Sequence, residues 1–333
     1  MFEKPLNTYE SQESFDQVKE SIVCGYRVGI NSPFKFCTDS LDAISSDIPD
    51  AVINNLEKKD NKNFDGNVNF VESSEDGLKW DEEKKELTIF GNPSCYESGN
   101  ALIYKSVQVA EYLRQLDGQL TAHGAAVRFQ NGKSVVIMGN SGAGKTSAVV
   151  SLCQKYGAEL IGNDQVVFDS KEKLQAVGGT KDLVIRKTAT KRNLPDLANL
   201  FDSQENSWKT KRKLKPSELN INICTEPSDI CAIVWIQIDT DIAEPTYVRK
   251  ILETDIVDTL NLSEKFSRQI SGVQSPLVDD NGKVRSFGIS LDNDKTRRTR
   301  VEVLNKFREV GIYYLFGSNL DEVSSAIKHL SEI

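Results

Sequence analysis

The stretch that decides the fold is VVIMGNSGAGKT, residues 135–146. It opens with four apolar residues, which are typical of a buried strand, and an apolar helical pattern follows it from Ala148 onward. Between these segments lies a glycine-rich loop that ends in Lys145 and Thr146 and matches the pattern G-x-x-x-x-G-K-S/T. A strand, this loop and a helix, in that order, are the context of a phosphate-binding loop.

Each residue type in the loop suits a phosphate ligand. Glycine adopts positive φ and lets the backbone approach phosphate oxygens, so that successive N–H groups surround an anion at a helix N-terminus. Lys145 would reach the β- and γ-phosphates of ATP, and the Thr146 hydroxyl would ligate Mg²⁺. The loop residues that we predict to bind the nucleotide are Gly139, Asn140, Ser141, Gly142, Ala143, Gly144, Lys145 and Thr146.

The composition narrows the class of protein. With 333 residues the chain is long enough for about two domains. Its formal net charge of −8 indicates a surface that as a whole does not attract nucleic acid. No apolar run reaches the roughly 18–20 residues that span a bilayer, the acidic N-terminus lacks a signal-peptide core, and the six cysteines form no C-x-x-C pair. We therefore expect a cytoplasmic protein that does not enter a membrane.

The first part of the chain predicts a separate module. Short apolar runs bounded by turn residues indicate strands at 24–30, 67–71 and 86–90. No chemical motif occurs there. We therefore predict a small, β-rich α+β module over residues 1–100 and a P-loop domain over residues 101–333.

The P-loop domain begins with a clear helical pattern. Apolar residues recur at steps of three and four over residues 101–120, which predicts a helix. Asn131-Gly132 then predicts a tight hairpin turn into the strand that precedes the loop. His123 falls between that helix and the hairpin, where it can lie beside the phosphate loop in the sheet. The unremarkable alternative is a core histidine.

One acidic residue follows the P-loop helix at a suggestive place. Asp164 lies between the apolar residues 160–161 and 166–168. A carboxylate at a strand end near a phosphate loop can hold Mg²⁺ or accept a proton from a hydroxyl group. An Asn-Asp turn without chemistry fits the same residues, so the spacing alone leaves both interpretations open.

These motifs together resemble the catalytic domain of HPr kinase/phosphorylase and its relatives in the phosphoenolpyruvate carboxykinase-like superfamily. That pattern has a strand carrying His-Gly, a hairpin, a short P-loop, a helix and then Gly-x-x-Leu-x-x-Asp-Asp. Here these parts correspond to His123-Gly124, Asn131-Gly132, the loop at 139–146 and GAELIGND at 157–164. Residues 174–316 fit more loosely, with strands expected at 183–186, 231–238 and 311–316.

The resemblance implies an α/β P-loop kinase core of the HPr kinase type with a smaller N-terminal module. It implies transfer of the γ-phosphate of ATP, with Mg²⁺, to a hydroxyl acceptor. Lys145 would hold the phosphates, and Asp164 would be the catalytic base and share Mg²⁺ with Thr146. A neutral His123 would orient Asp164. Relatives of this type are often homo-oligomers, which is a further implied expectation.

The sequence departs from the family in ways that bear on the acceptor. Asn163 stands where the first of two aspartates is usual, which argues against the reverse, phosphorolytic reaction. The C-terminal loop that binds HPr has no clear counterpart, so we do not expect HPr to be the substrate. A serine- or threonine-type hydroxyl of a peptide or protein, or a small metabolite, fits better. Phosphorylation of a nucleic-acid hydroxyl and a non-catalytic nucleotide-dependent switch remain alternatives.

Basic residues are concentrated in the second half. One cluster spans residues 181–215 and includes Trp208, and a second is Lys295, Arg297, Arg298 and Arg300. They fit an anionic substrate, nucleotide phosphates or a nucleic-acid backbone, although a solvated loop has the same composition. Arg186 and Arg192 are the best candidates for phosphate contact, because a guanidinium pairs with phosphate through two hydrogen bonds.

Three other features of the sequence carry predictions. Asp239 ends an apolar run and is an alternative metal residue. Residues 260–275 mix helical and loop patterns and could form a lid or contact the substrate. Ser318-x-x-Asp321 predicts the cap of a terminal helix on which His329 faces solvent.

Overall fold

The fold is described from a computed structural model of the chain. It describes residues 17–23, 25–32, 51–56, 63–202, 210–241, 245–252, 255–272 and 276–333. These residues form a mixed α/β fold, as predicted. The predictions that concern Trp208, Lys209 and residues 273–275 lie outside the described ranges. Across these ranges, the structure contains no helix with the length and apolar character needed to cross a bilayer.

The first sheet lies in the N-terminal part and contains the strands predicted there. Its order is β3-β1-β2-β4-β6-β5, and β2, β4 and β6 correspond to the runs predicted at 24–30, 67–71 and 86–90. In β4 the alternate residues Val68 and Phe70 are buried, which is the pattern of a sheet with one covered face. The strands are β1 (Gln17–Val23), β2 (Tyr26–Ser32), β3 (Ala51–Leu56), β4 (Gly66–Glu72), β5 (Gly77–Asp81) and β6 (Glu86–Gly91).

The second sheet carries the P-loop. Its main path is β10-β8-β9-β15-β12-β11-β7, and β19 and β16 extend it from β15. The strands are β7 (Gln119–His123), β8 (Ala125–Arg128), β9 (Ser134–Met138), β10 (Glu159–Gly162), β11 (Gln165–Asp169), β12 (Gln175–Gly179), β15 (Ser228–Ile238), β16 (Tyr247–Lys250) and β19 (Ile312–Gly317). Two small hairpins stand apart: β13 (Leu183–Arg186) with β14 (Lys211–Leu214), and β17 (Leu277–Val278) with β18 (Val284–Ser286).

Strand β15 is the central strand of this sheet. It pairs in parallel with β9 on one side and with β19 on the other, and its first residues pair with β12. The strands predicted before the P-loop, at 231–238 and at 311–316 are confirmed as β9, β15 and β19. The strand predicted at 183–186 is β13, which pairs with β14 outside the large sheet. The hairpin at Asn131-Gly132 joins β8 to β9 as predicted.

The helices pack on these sheets. They are α1 (Asn100–Leu116), α2 (Lys145–Tyr156), α3 (Lys187–Arg192), α4 (Ile256–Ser267), α5 (Asp294–Val310) and α6 (Leu320–Leu330). The helix predicted over 101–120 ends four residues early, at Leu116, because Asp117-Gly118 turns the chain, with Gly118 at φ +75°. Leu120 is buried as expected, but it belongs to β7.

Helix α1 lies between the two sheets and is buried on most of its surface. It contacts β2 and β4 of the first sheet, and β7 and α5 on the other side. The core that covers the first sheet also includes Ile270, Leu277 and Leu291 from the C-terminal half. Gln108 on α1 donates to the carbonyl of Ile289 over 2.7 Å. The predicted boundary at residue 100 is thus crossed by a continuous hydrophobic core.

The terminal helix begins one residue later than predicted. Its N-cap is Asn319, whose side-chain oxygen accepts the N–H groups of Asp321 and Glu322 at 2.7 and 3.4 Å. The cap predicted at Ser318 is therefore wrong, because Asn319 occupies the position from which a side chain reaches these N–H groups. The predicted exposure of His329 is confirmed, with 74% of its side chain accessible.

A buried ion pair holds α1 against β7. Arg114 Nη1 lies 2.6 Å from Glu111 Oε2, with the two side chains only 1% and 0% exposed. Glu111 Oε1 also accepts the N–H of Thr121 in β7 over 3.0 Å. Both charges therefore depend on partners inside the protein.

We predict that Glu111→Ala lowers the free energy of unfolding by about 3–5 kcal/mol, because it leaves a buried guanidinium without its carboxylate. Urea unfolding followed by circular dichroism measures the change. The matched control is Asp81→Ala, which removes the partner of Lys84 in an exposed pair with the same spacing. That pair should contribute less than about 1 kcal/mol, and equal losses in the two variants would contradict the prediction.

Candidate functional site

The P-loop leaves β9 and enters α2 through glycines in unusual backbone conformations. Gly139 has φ +147°, and a Cβ there would lie 2.6 Å from the carbonyl oxygen of Ile236 in β15. Gly144 is the N-cap of α2 with φ +96°, and a Cβ there would collide with Ile238. Larger residues would push the loop away from β15. Gly139 and Gly144 are therefore required by the close packing of the loop on that strand.

The loop buries its base and exposes its rim. The N–H of Ile238 donates to the Ala143 carbonyl over 3.0 Å, which fixes the base of the loop to β15. Asn140, Ser141 and Gly142 are exposed. An open rim of main chain at the N-terminus of a helix is the arrangement that phosphate binding needs.

Lys145 lies folded over its own loop. Its Nζ donates to the carbonyls of Gly139 and Asn140, both at 3.1 Å, and the residue is 9% exposed. Burial lowers its pKa to about 8, and the positive charges of Lys265 and Arg268 act in the same direction. An anion bound at the loop would counter each of these effects and offer the ammonium stronger acceptors than two carbonyls.

Thr146 faces a residue that the sequence analysis did not assign. Its Oγ1 donates to Asn163 Oδ1 over 3.2 Å, and Asn163 Nδ2 donates to the Asp182 carbonyl over 3.1 Å. The second bond fixes the amide so that its oxygen points at Thr146. The position of Asn163, in place of the usual first aspartate, was the available signal. Asp164, the other predicted metal residue, lies beside His123.

Asp164 forms a pair with His123, as the sequence predicted. His123 Nδ1 lies 3.3 Å from Asp164 Oδ1. Burial lowers the pKa of His123 to about 4, and the charges of Lys145, Lys265 and Arg268 contribute to this. The imidazole is therefore neutral near pH 7, and its Nδ1 lies close to the Asp164 carboxylate.

The environment of Asp164 suits a proton acceptor. Desolvation raises the pKa of its carboxyl group, against the opposing positive charges of Lys145 and Lys211. A carboxylate with a raised pKa accepts a proton more readily. Its side chain nevertheless keeps 45% of its surface exposed, which leaves room for an acceptor to approach. Its backbone is left-handed at φ +73°, a conformation that aspartate tolerates better than most residues.

The oxygen donors here fit a magnesium ion that arrives with a nucleotide. Among the described residues no group of three or more His, Cys, Asp or Glu side chains is placed to hold a metal ion. The Thr146 hydroxyl, the Asn163 amide oxygen and the Asp164 carboxylate are hard oxygen donors, and Mg²⁺ commonly takes few protein ligands and completes its shell with phosphates and water. The donor set therefore agrees with the predicted ion.

Asp239, the alternative metal residue, follows β15 directly. Its Oδ1 accepts the N–H of Asp241 over 3.1 Å, as in an ordinary turn. Asp241 in turn pairs with Arg192 at 2.7 Å, on the surface. Arg192, one of the two arginines predicted to bind phosphate, is thus engaged with a carboxylate near the end of β15.

The remaining basic residues have different surroundings. Arg186 is the N-cap of α3 and is paired in register with Lys211 of β14. Lys211, Arg212 and Lys213 are exposed on that strand, and Lys213 pairs with Asp182 at 2.9 Å. In the second cluster Arg300 is buried and forms two hydrogen bonds to Asp292, and Arg297 pairs with Asp294.

Comparisons with known proteins add no relative: no protein-family model matches the chain, and no curated protein matches it. The resemblance to the HPr kinase type therefore depends on the residues of the motif and on their arrangement. The structure places His123 beside Asp164 and Thr146 beside Asn163, and the charge of Lys145 interacts with both His123 and Asp164. Lys211 belongs to the basic cluster predicted at 181–215 and Lys265 to the substrate-contact segment predicted at 260–275, whereas Asn163 was noted only as a departure from the family pattern.

We predict that His123 stays neutral down to about pH 5, because its pKa is lowered to about 4. The chain has two histidines, so His329→Gln leaves one imidazole to observe by ¹⁵N-edited NMR. Lys145→Met in that background should raise the pKa of His123, since it removes a nearby positive charge. Titration of His123 near pH 6.5 in the otherwise unaltered site would contradict the assigned environment.

Proposed function

We propose that this chain is an ATP- and Mg²⁺-dependent phosphotransferase with an alcohol group as acceptor, built on a P-loop kinase core of the HPr kinase type. The observation that carries the proposal is the Asp164 carboxylate beside a neutral His123, close enough to Lys145 for their charges to interact. A loop that binds only nucleotide needs no such carboxylate. Its place beside the phosphate-binding lysine supports a transfer reaction.

Each site residue has its own role in the proposed transfer. Lys145 and the N–H groups of the loop hold the β- and γ-phosphates. The acceptor hydroxyl gives its proton to Asp164 while its oxygen attacks the γ-phosphorus, and ADP leaves. His123 keeps the carboxylate oriented. Thr146 and Asn163 would hold Mg²⁺ together with the phosphates, and the ion would neutralise charge that develops during transfer.

The acceptor we favour is a serine- or threonine-type hydroxyl of a peptide or protein, or a small metabolite. The resemblance supports this class, and Asn163 in place of the first of the two usual aspartates supports the forward reaction. The test is a screen for transfer of labelled γ-phosphate from ATP to peptides, metabolites and oligonucleotides, with Lys145→Ala as the inactive control. Nucleotide binding without transfer to any acceptor would leave a nucleotide-dependent switch.

For the acceptor found in that screen, we predict that Asp164→Asn lowers kcat by about 10²- to 10⁴-fold, the usual contribution of a general base. Binding of a non-hydrolysable ATP analogue should persist, because Asn retains the size and tolerates the left-handed backbone. Asp239→Asn is the matched control, since it alters another aspartate at the end of a strand beside the loop. A large loss in Asp239→Asn with little in Asp164→Asn would overturn the assignment.

A nucleic-acid hydroxyl is a second candidate acceptor, favoured by the exposed lysine and arginine side chains of β14. Lys211 lies near enough for its charge to act on Asp164. If this acceptor is correct, replacing Lys211, Arg212 and Lys213 by Gln should weaken the salt dependence of oligonucleotide binding. The slope of the logarithm of the binding constant against the logarithm of the salt concentration should fall in magnitude by about two, because each charge on a single strand contributes about 0.7. Neutralising Lys295, Arg297 and Arg298 is the control, and equal effects would contradict a specific role for β14.

A further inference from the structure

A largely buried lysine near the P-loop forms no ion pair with any of the described residues. Lys265, in the last turn of α4, is 6% exposed. Its Nζ lies 5.1 Å from the ring centroid of Trp235 in β15. Within the part of the chain that the structure describes, this ring is its recorded partner, and neither a carboxylate nor a carbonyl accepts a hydrogen bond from it. Most of the side chain is buried, and its ammonium forms no hydrogen bond to the described residues, so its N–H groups remain available to an incoming anion.

The position of Lys265 ties it to the P-loop. Helix α4 packs against β7, the strand that ends in His123. Trp235, which lies beneath the ammonium, is paired in register with Met138, the last residue of β9 before the loop. The positive charge of Lys265 therefore acts on both His123 and Lys145.

Arg268 adds a third positive charge on the same side. It follows α4 directly and pairs with Glu264 at 2.9 Å, with about a third of its side chain exposed. Its charge acts on Lys145 and Lys265 alike. Three cations thus repel one another at one place, and the carboxylates that act on them, Glu264 and Asp164, are fewer. Such an excess of positive charge is relieved when an anion binds.

The loop accounts for only one of these cations. Lys145 and the main-chain N–H groups already serve the β- and γ-phosphates. Lys265 instead lies toward His123, the residue that orients the proton acceptor, and an acceptor hydroxyl must reach that same carboxylate. We propose that Lys265, with Arg268 at its rim, forms an anion subsite beside His123 that binds a carboxylate or phosphate group carried by the acceptor.

This inference rests on the proposed function, because it assigns the chemical class of the same reaction's acceptor: an alcohol that also carries a negative charge. The cation–aromatic contact with Trp235 keeps the ammonium in place before the anion arrives. A neutral alcohol would leave the Lys265 ammonium without an anionic ligand and should bind more weakly.

Trp235 supplies a binding signal that does not require turnover. The chain has three tryptophans, so Trp80→Phe and Trp208→Phe leave Trp235 as the reporter. This protein is first saturated with Mg²⁺ and a non-hydrolysable ATP analogue, which occupies the P-loop. It is then titrated with glycerol, glycerate or glycerol 3-phosphate, three alcohols that differ in the anionic group. We expect a saturable fluorescence change with at least one of the two anions and none with glycerol.

Lys265→Met should raise the Kd for that anion at least tenfold, and Arg268→Gln should weaken binding while altering only a partly exposed side chain. The matched control is Lys328→Met, which removes another lysine that lies over a ring, Phe129 at 5.3 Å, on the last helix. The anion affinity of this control should stay unchanged.

Each outcome decides the proposal. Equal responses to glycerol and the anions, or unchanged anion affinity in both Lys265→Met and Arg268→Gln, would overturn it. So would a tenfold loss of affinity for the ATP analogue in Lys265→Met with anion binding intact, because Lys265 would then serve the nucleotide. Charge-selective binding without transfer of phosphate would retain the subsite and refute the kinase proposal, so the two failures are distinguishable.

Discussion

The candidate site depends on one main-chain hydrogen bond, which joins two places where the chain changes strand. The N–H of Gly124 donates to the carbonyl of Asp164 over 3.0 Å. On one segment β7 passes into β8, and on the other β10 passes into β11. Because this hydrogen bond joins the two connections, His123 and Asp164 are neighbours in the fold although they are 41 positions apart in the sequence. The same crossing brings Asn163 against Thr146 at the start of α2.

The electrostatics of the site follow from where these segments are buried. Burial, together with the positive charges of Lys145, Lys265 and Arg268, lowers the pKa of His123 and keeps its imidazole neutral near pH 7. Asp164 is desolvated enough for its pKa to rise but is exposed enough to be reached. A carboxylate whose pKa is raised by desolvation accepts a proton more readily than an ordinary one. Burial therefore sets the protonation states that the proposed chemistry uses.

The sequence predicted the parts of this site that lie close together along the chain. The loop, its flanking strand and helix, and the hairpin before it follow from local rules on glycine, apolar runs and turns. The pairing of His123 with Asp164 was anticipated through a resemblance, since no periodicity reveals it. The contact of Asn163 with Thr146 was missed, and Lys265 was not singled out within the predicted segment 260–275, because both depend on tertiary packing. The helix end at Leu116 and the cap at Asn319 differ from prediction because turn residues and cap geometry outweigh the apolar pattern at element ends.

The shared core between the two halves has a consequence for how the molecule can be divided. Ile270 is packed under the first sheet, two positions after Arg268, and Gln108 on α1 donates to the carbonyl of the same residue. Excising the N-terminal sheet would strip the covering from this segment and remove the anchor at the C-terminal end of α4. A fragment that starts at residue 101 would thus be an incomplete folding unit, and the full chain should melt in a single cooperative transition.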